Sequence, residues 1–520
     1  MEGKGSNKAS GISATAILLI LTALRLILTL AFSGRYGYFR DELYYIACSD
    51  HLAFGYVDQP PLSIGLLAVS RALFGDSLFA LRLLPGIAGA VVVFLSGLIA
   101  RKLGAGKFGQ ALTALAVLIS PGLLSQSRYY SMNILDILFW TLAVYLAVLI
   151  VKDDRPSLWP LFGVVVGLGL MNKYSIGFLV VGLVLGLLLT SARKHLSKAP
   201  FWISAAIAAL IFLPHVLWEI RTAFPSLEFM RNASLYKNMP VSPLGFFLAQ
   251  VMEVGFIQAF LWLAGLGYFF FHKEGKKLRL FGWMFIVVFL IMIATRAKAY
   301  YLGPIYPVLL AGGAVLVEAL SARAGRKWLR PVAVVLVVAF SGLAVPFVIP
   351  VLPVEPFIVY QDFLGLKPAQ EERSEVGILP QHYADMFGWE EMTATVAKVY
   401  QSLSPEERAG CLIYVRNYGQ AGAIDFFGGK YGLPKASCGH NNYWLWGPPD
   451  WDGKVAIIFG DSNDLEESTA DLASGFETVE HVATFTHKYV MPYENGRPIF
   501  VCRGAKGNIK DIWPQEKSFG

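Results

Sequence analysis

Long apolar runs recur through the first 350 residues of this chain, and no other feature limits its fold as tightly. A hydrocarbon core of roughly 30 Å takes about 20 apolar residues as a helix. About eleven segments approach that, near 13–32, 83–100, 109–124, 133–151, 158–172, 175–190, 200–218, 243–271, 280–294, 302–320 and 331–350. Only 16% of the 520 residues are charged, where a soluble protein carries about a quarter. The fold class is therefore a polytopic α-helical membrane protein. The opening apolar segment is long, contains Arg25 and lacks a small-residue cleavage signal, so it reads as a retained helix rather than a signal peptide. Residues 61–75 are apolar but short, which predicts an interfacial or re-entrant helix. Asn172-Lys173-Tyr174 reads either as a tight turn between two helices or as a break in one.

Charge supplies an orientation. The connections KGSNK, RKLGAGK, KDDR, RKHLSK, HKEGKKLR and SARAGRKWLR are short and basic, and they alternate correctly with eleven spans. The positive-inside rule predicts that they, and the N-terminus, are cytoplasmic. The other face then carries a first loop at 33–82, the 125–132 turn, Lys173, 219–242, 295–301 and everything beyond about 350. This sorting accounts for the net charge of +7, which gives no reason to expect a nucleic-acid partner. The expected place is the cell membrane, multi-pass, among membrane lipids.

The chain thus divides into a membrane domain, 1–350, and a tail, 351–520, that changes character. CLIYVRNY (411–418) and KVAIIFG (454–460) read as buried strands, FETVEHVATFTH (476–487) as one or two more, and Trp389 to Leu403 as a helix. A compact extracytoplasmic α/β domain of about 140 residues is large enough for its own core. Of the four cysteines, Cys411–Cys438 or Cys438–Cys502 can pair if the tail is extracytoplasmic; free buried thiols are the alternative.

Chemistry concentrates in a few short stretches. RYGYFRDELYYIACSDHLAFGYVDQPP (35–61) places Asp41, Glu42 and Asp58 among tyrosines, Tyr44 included, and ends in a rigid Pro60-Pro61 pair beside Gln59. Such carboxylates can accept a proton from a hydroxyl, pair with an Arg or bind a divalent ion; Asp41 would also suit a helix N-cap. SRYYSMNILD (127–136) carries Arg128 on the outer side and Asp136 inside a span. Lys173 interrupts an apolar stretch, and TRAKAYYLGPIYP (295–307) sets Arg296 and Lys298 before Tyr300, Tyr301 and Tyr306. Cations against an aromatic wall suit a lipid phosphate, and equally an interfacial aromatic belt. His215 and Glu219 share a helix face, four residues apart, as a metal or sugar site would need. In the tail, NYGQAGAIDFFGGKYG (417–432) and GHNNYWLWGPP (439–449) are Gly-rich and aromatic; they suit a sugar surface or simply tight loops.

In order along the chain, YFRDELYYIACSDHLAFGYVDQPPL, SRYYSMNILDILFW, GLMNKYS and RAKAYYLGPIYPVLLAG resemble the dolichyl-phosphate-mannose-protein mannosyltransferase-like glycosyltransferases. This is glycosyltransferase family 39 of the GT-C superfamily, which includes the aminoarabinose transferase acting on lipid A. The resemblance spans roughly residues 12–320. It implies a GT-C fold and transfer of a sugar from a polyprenyl-phosphate donor to a protein, lipid or glycan acceptor on the extracytoplasmic side. It places the catalytic base on Asp41, with Glu42 beside it, and the donor phosphate on Lys298, Arg296 and Lys173, with Arg128 nearby. Tyr44, Asp58, Gln59, Tyr300, Tyr301, His215 and Glu219 are the remaining pocket candidates. Some relatives use a divalent ion; Glu42, Asp58 and His215 are the candidate ligands, and their spacing does not demand one. Many relatives carry Arg-Xaa-Xaa-Xaa-Pro-Asp where this chain has Arg128-Tyr-Tyr-Ser-Met132-Asn133, which separates this segment from the family pattern.

A transporter or flippase for an amphipathic substrate is the competing class. It usually shows two related halves, and no repeated half is evident here. A non-catalytic envelope scaffold is a third reading, in which Asp41 would be dispensable.

Overall fold

The computed structural model describes residues 12–239, 241–368 and 373–520. The N-terminal KGSNK connection lies outside them. Helix α1 (Ala14–Leu30) starts where the Ser13 hydroxyl accepts the Ala16 N–H. Its buried Arg25 donates to the carbonyls of Leu118 and Leu123 and to the Ser127 hydroxyl. A cation inside an apolar bundle is thus held by carbonyls that the ends of neighbouring helices leave unpaired.

The first loop holds α2 (Arg40–Asp50) and α3 (Leu62–Phe74). The bundle continues with α4 (Leu78–Leu103), α5 (Lys107–Leu118), α6 (Pro121–Ser125), α7 (Met132–Lys152), α8 (Trp159–Asn172), α9 (Ile176–Leu188), α10 (Ala199–Arg221) and α11 (Pro225–Asn232). It closes with α12 (Pro243–Val254), α13 (Phe256–Phe271), α14 (Leu280–Ala294), α15 (Tyr306–Ser321) and α16 (Leu329–Val348). A 3-10 turn, Ala299–Ile305, leads into α15.

Span lengths differ from the sequence expectation of about eleven. Among the described residues, five helices are long and apolar enough to cross a membrane, six if one bent pair counts as a span. Six further apolar helices are 10–17 residues long. The segment 243–271 is not one helix. It turns by 110° between α12 and α13. The break falls at Gly255, whose φ of +108° an L side chain rarely adopts. Asn172-Lys173-Tyr174 is a turn between two helices, with Lys173 extended just past the end of α8. Helix α3 buries Ile64 and Leu67 and exposes Val69, Leu73 and Phe74, so it is apolar on both sides.

The remainder contains α17 (Val354–Phe363), α18 (Gln381–Ala384), α19 (Trp389–Ser402), α20 (Pro405–Ala409), β1 (Leu412–Tyr414), α21 (Tyr418–Phe427), β2 (Ala436–Ser437), β3 (Val455–Phe459), β4 (Phe476–Phe485) and β5 (Arg497–Ala505). One mixed sheet has the order β2-β1-β3-β5-β4; β1 is parallel to β2 and β3, and β5 is antiparallel to β3 and β4. The 476–487 run forms a single strand with an irregularity between His481 and Ala483. All four cysteines are free and buried, so neither candidate disulfide forms.

Alternation splits the strand residues between two layers. Leu412, Ala456, Ile458 and Phe500 face one side with Trp513. Ile413, Ile457, Phe459, Ile499 and Val501 face the other, and that layer continues into Leu43, Tyr44 and Ile46 of α2. The first loop therefore shares a hydrophobic core with the C-terminal sheet.

Candidate active site

The N-terminus of α2 is fixed by Glu42. Its Oε2 accepts the Phe39 N–H at 2.9 Å, the reach-back bond of a helix start, and Arg82 of α4 at 2.7 Å. Its Oε1 accepts Arg82 Nε at 3.0 Å and the Tyr130 N–H at 2.8 Å. Arg82 also donates to the carbonyls of Ser33 and Gly37. Both side chains are sealed, at 1% and 0% exposure. Glu42, expected beside the base and as a candidate metal ligand, is instead a fully bonded buried anion. It has no capacity left for a substrate or an ion.

Asp41, one residue earlier, points elsewhere. Its side chain is 34% exposed. Oδ1 accepts the Tyr418 hydroxyl at 3.0 Å and lies 3.6 Å from Arg40 Nε. Both of these contacts fall on the same oxygen. Arg40 is held in turn by the Tyr493 hydroxyl at 2.7 Å, and Asp385 lies 3.7 Å away.

Asp58 stands beside this group. The Tyr44 hydroxyl lies 3.1 Å from Asp58 Oδ1 and equally 3.1 Å from Asn442 Oδ1, and it can donate to one at a time. Asn442 Oδ1 also accepts the Val57 N–H at 2.7 Å, so the C-terminal sheet domain grips the loop backbone. Burial, and then the charge of Asp41, push the Asp58 carboxyl up to about 6. Gln59 is buried and turned toward Ser63. It braces the loop through backbone bonds to Tyr56.

On the membrane side, Lys173 Nζ donates to Asn133 Oδ1 at 2.6 Å and lies 4.6 Å and 5.3 Å from the ring centres of Tyr301 and Tyr300. Asn133, the departure from the family pattern, is thus a neutral holder of this cation. Asp136 accepts the Ser175 hydroxyl at 2.5 Å within the same turn. Lys298 is half-buried at the start of the 3-10 turn. Arg296 is exposed, at a φ of +51°, and its backbone N–H donates to the Ile293 carbonyl at 3.1 Å. Arg128 reaches away from this cluster. It donates to the Val348 carbonyl at 3.3 Å and lies over Tyr129 and Tyr383, tying α16 to the C-terminal domain.

His215 and Glu219 do share a face, but as a clamp. Phe54 O can only accept, so His215 Nδ1 carries the proton at 2.8 Å, and Nε2 accepts the Tyr174 hydroxyl at 2.6 Å. Ser226 donates to Glu219 at 2.5 Å. With both His215 nitrogens engaged and Glu42 saturated, the three candidate ligands do not fit a divalent ion. No group of three or more His, Cys, Asp or Glu suited to a metal occurs among the described residues.

Beyond Tyr418 opens a cavity of about 550 Å³, lined by Arg40, Lys237, His440, Lys517 and Phe519 among others, with no Asp or Glu side chain among its described lining residues. Burial, with Lys237 and Arg40 nearby, lowers His440 to about 4, so the ring is neutral there. Sequence reading missed Arg82, and it placed Tyr418 and Asn442 only within segments suited to a sugar surface or to tight loops. Arg82 carried a signal, as an arginine inside an apolar helix next to an acidic loop. For Tyr418 and Asn442 the composition could not show the partner, because only the tertiary fold brings them to α2.

Against known proteins, residues 58–218 match the family described as dolichyl-phosphate-mannose-protein mannosyltransferase. The solved structure of ArnT from Cupriavidus metallidurans bound to undecaprenyl phosphate is similar over 94% of this chain and 98% of its own, with a TM-score of 0.59 at 15% identity. The chain has the GT-C fold. The Archaeoglobus fulgidus oligosaccharyltransferase, at 12% identity, shares it with a TM-score of 0.53 over 87% of this chain and 70% of its own. In sequence, the lipid A galacturonosyltransferase RgtD of Rhizobium johnstonii is 25% identical over 51% of this chain and 56% of its own length. An undecaprenyl phosphate-alpha-4-amino-4-deoxy-L-arabinose arabinosyl transferase of Pseudomonas savastanoi pv. phaseolicola is 27% identical over 40% of this chain and 36% of its own. The chain thus spans about half or less of the length of these relatives. The resemblance drawn from the sequence motifs and the GT-C fold are both upheld by these findings.

Proposed function

We propose that this protein is a glycosyltransferase that moves a sugar from a polyprenyl-phosphate donor to an acceptor hydroxyl at the extracytoplasmic face of a membrane. The carrying observation is the position of Asp41. It is a part-exposed carboxylate at a helix N-terminus, hydrogen-bonded to Tyr418, a residue that lines the cation-rich cavity. The names of the matched relatives, which act with undecaprenyl-phosphate sugars or on lipid A, support the donor class.

In this reading the lipid phosphate lies near Lys173, with Lys298 and Arg296 on the same side, and the acceptor enters through the cavity. Asp41 takes the proton of the acceptor O–H. The acceptor oxygen bonds the anomeric carbon as the carbon–oxygen bond to the phosphate breaks, and polyprenyl phosphate leaves with its added charge facing the cations. Protein, lipid and envelope glycan are all acceptors of the required chemistry. The basic connections support the orientation: Lys102 bonds Asp153 at 2.6 Å, which joins two of them on one side of the bundle.

Transfer from a panel of radiolabelled polyprenyl-phosphate sugars to envelope acceptors, in reconstituted membranes, tests this. Asp41→Asn is expected to lower transfer by about 10²- to 10⁴-fold while the protein stays folded. Lys173→Met is expected to raise the donor KM. Asp41→Asn at the wild-type rate would remove Asp41 as the base.

A further inference from the structure

Helix α21 comes from the Gly-rich NYGQAGAIDFFGGKYG segment, and its glycines serve contact rather than looseness. A Cβ on Gly422 would sit 2.9 Å from the backbone carbon and oxygen of Leu43, and one on Gly419 would sit 2.5 Å from Arg40 Cγ. Two glycines three apart on one face let α21 lie directly against α2. The approach places Tyr418, the first residue of α21, with its hydroxyl 3.0 Å from Asp41 Oδ1.

Tyr418 is itself rigidly held. Asn417 caps α21 by accepting the Gly419 and Gln420 N–H groups, both at 3.0 Å. Its amide donates to Glu494 at 2.8 Å, and Gln420 donates to the other oxygen of that buried carboxylate at 2.7 Å. The Tyr418 ring lies 4.6 Å from that of Tyr44, 4.8 Å from that of His440 and 5.4 Å from the Arg40 guanidinium.

We propose that Tyr418 is a positioning residue for Asp41, so that the transferase site is complete only when the C-terminal domain is docked on the first loop. This rests on the reading of Asp41 as base. The phenol occupies Oδ1 and fixes the carboxylate plane, which leaves Oδ2 for the acceptor hydroxyl. Burial holds the phenol far above its usual range, so it stays a donor wherever the enzyme works. A hydrogen bond to a charged acceptor is among the stronger ones, which suits an orienting role.

The test is a double-mutant cycle on the full chain in reconstituted membranes, with the donor and acceptor that the wild type uses. Tyr418→Phe keeps the ring and its packing and removes only the hydroxyl. It is expected to lower kcat about 10- to 100-fold with the donor KM unchanged, the scale of a misplaced catalytic group. In an Asp41→Asn background the same change is expected to cost nothing further. Wild-type kcat in Tyr418→Phe, with Asp41→Asn inactive, would overturn the positioning role alone. Additive losses would do the same. Asp41→Asn at the wild-type rate would overturn the base assignment and this proposal with it. Any folding loss in Tyr418→Phe appears in both arms of the cycle, so the coupling is still read.

Discussion

Asp41 and Glu42 are adjacent on α2, yet the two sides of that helix are built for opposite purposes. On the Glu42 side, four hydrogen bonds and a buried arginine satisfy the carboxylate completely. On the Asp41 side, a third of the side chain is open and both contacts crowd one oxygen. The sealed side sets where the helix starts, and the open side uses that fixed start. Local sequence makes the two residues look interchangeable, whereas their partners come from α4 and α21, far apart in the chain.

The largest break in this comparison comes from the sealed side. Arg82→Met would leave Glu42 buried without a counter-charge, which costs about 3–5 kcal/mol. The expected outcome is a large fall in Tm and in the yield of monodisperse protein, measured by thermal unfolding in detergent. Adding Glu42→Gln should recover part of that loss. An Arg82→Met protein as stable as wild type would mean that Glu42 is not sealed.

The open side should break more gently. Gly422→Val forces α21 off the Leu43 backbone, an overpacking cost of about 1–3 kcal/mol. Transfer should fall with it, because the Tyr418 hydroxyl moves off Asp41, while the donor KM stays near wild type. A parallel rise in donor KM would show that the Lys173 cluster depends on the same contact.

What was legible in the sequence follows from what has a local cause. Apolar run length locates most of the helices, and the alternation in KVAIIFG marks a strand. The Asp41-Glu42 pair and Lys173 stand out as charges where charge is costly. Run length is blind to the break at Gly255, since a positive φ leaves the composition apolar. Spacing put His215 and Glu219 on one face but could not show that Phe54, Tyr174 and Ser226 already engage them. The roles of Gly419 and Gly422 depend on a helix nearly 380 residues earlier, and no local pattern encodes that pairing.

The smallest and sharpest effect concerns Asp58, where the open side reaches into the loop. Its carboxyl is raised to about 6 from an ordinary 3.8, by burial first and the charge of Asp41 second. The folded protein therefore holds this proton more tightly than the unfolded chain does. Stability from this group is fully present below about pH 3.8 and is lost as pH rises through 6. Asp58→Asn keeps the Tyr44 contact and cannot ionise. It should match the wild-type Tm near pH 4 and exceed it at pH 8, with the difference growing between those limits. In an Asp41→Asn background one of the two causes is gone, so the gap should be smaller and should level off at a lower pH. If Asp41→Asn leaves both the size of the gap and that plateau unmoved, the two carboxylates do not act on one another, and the open side of α2 ends at Asp41.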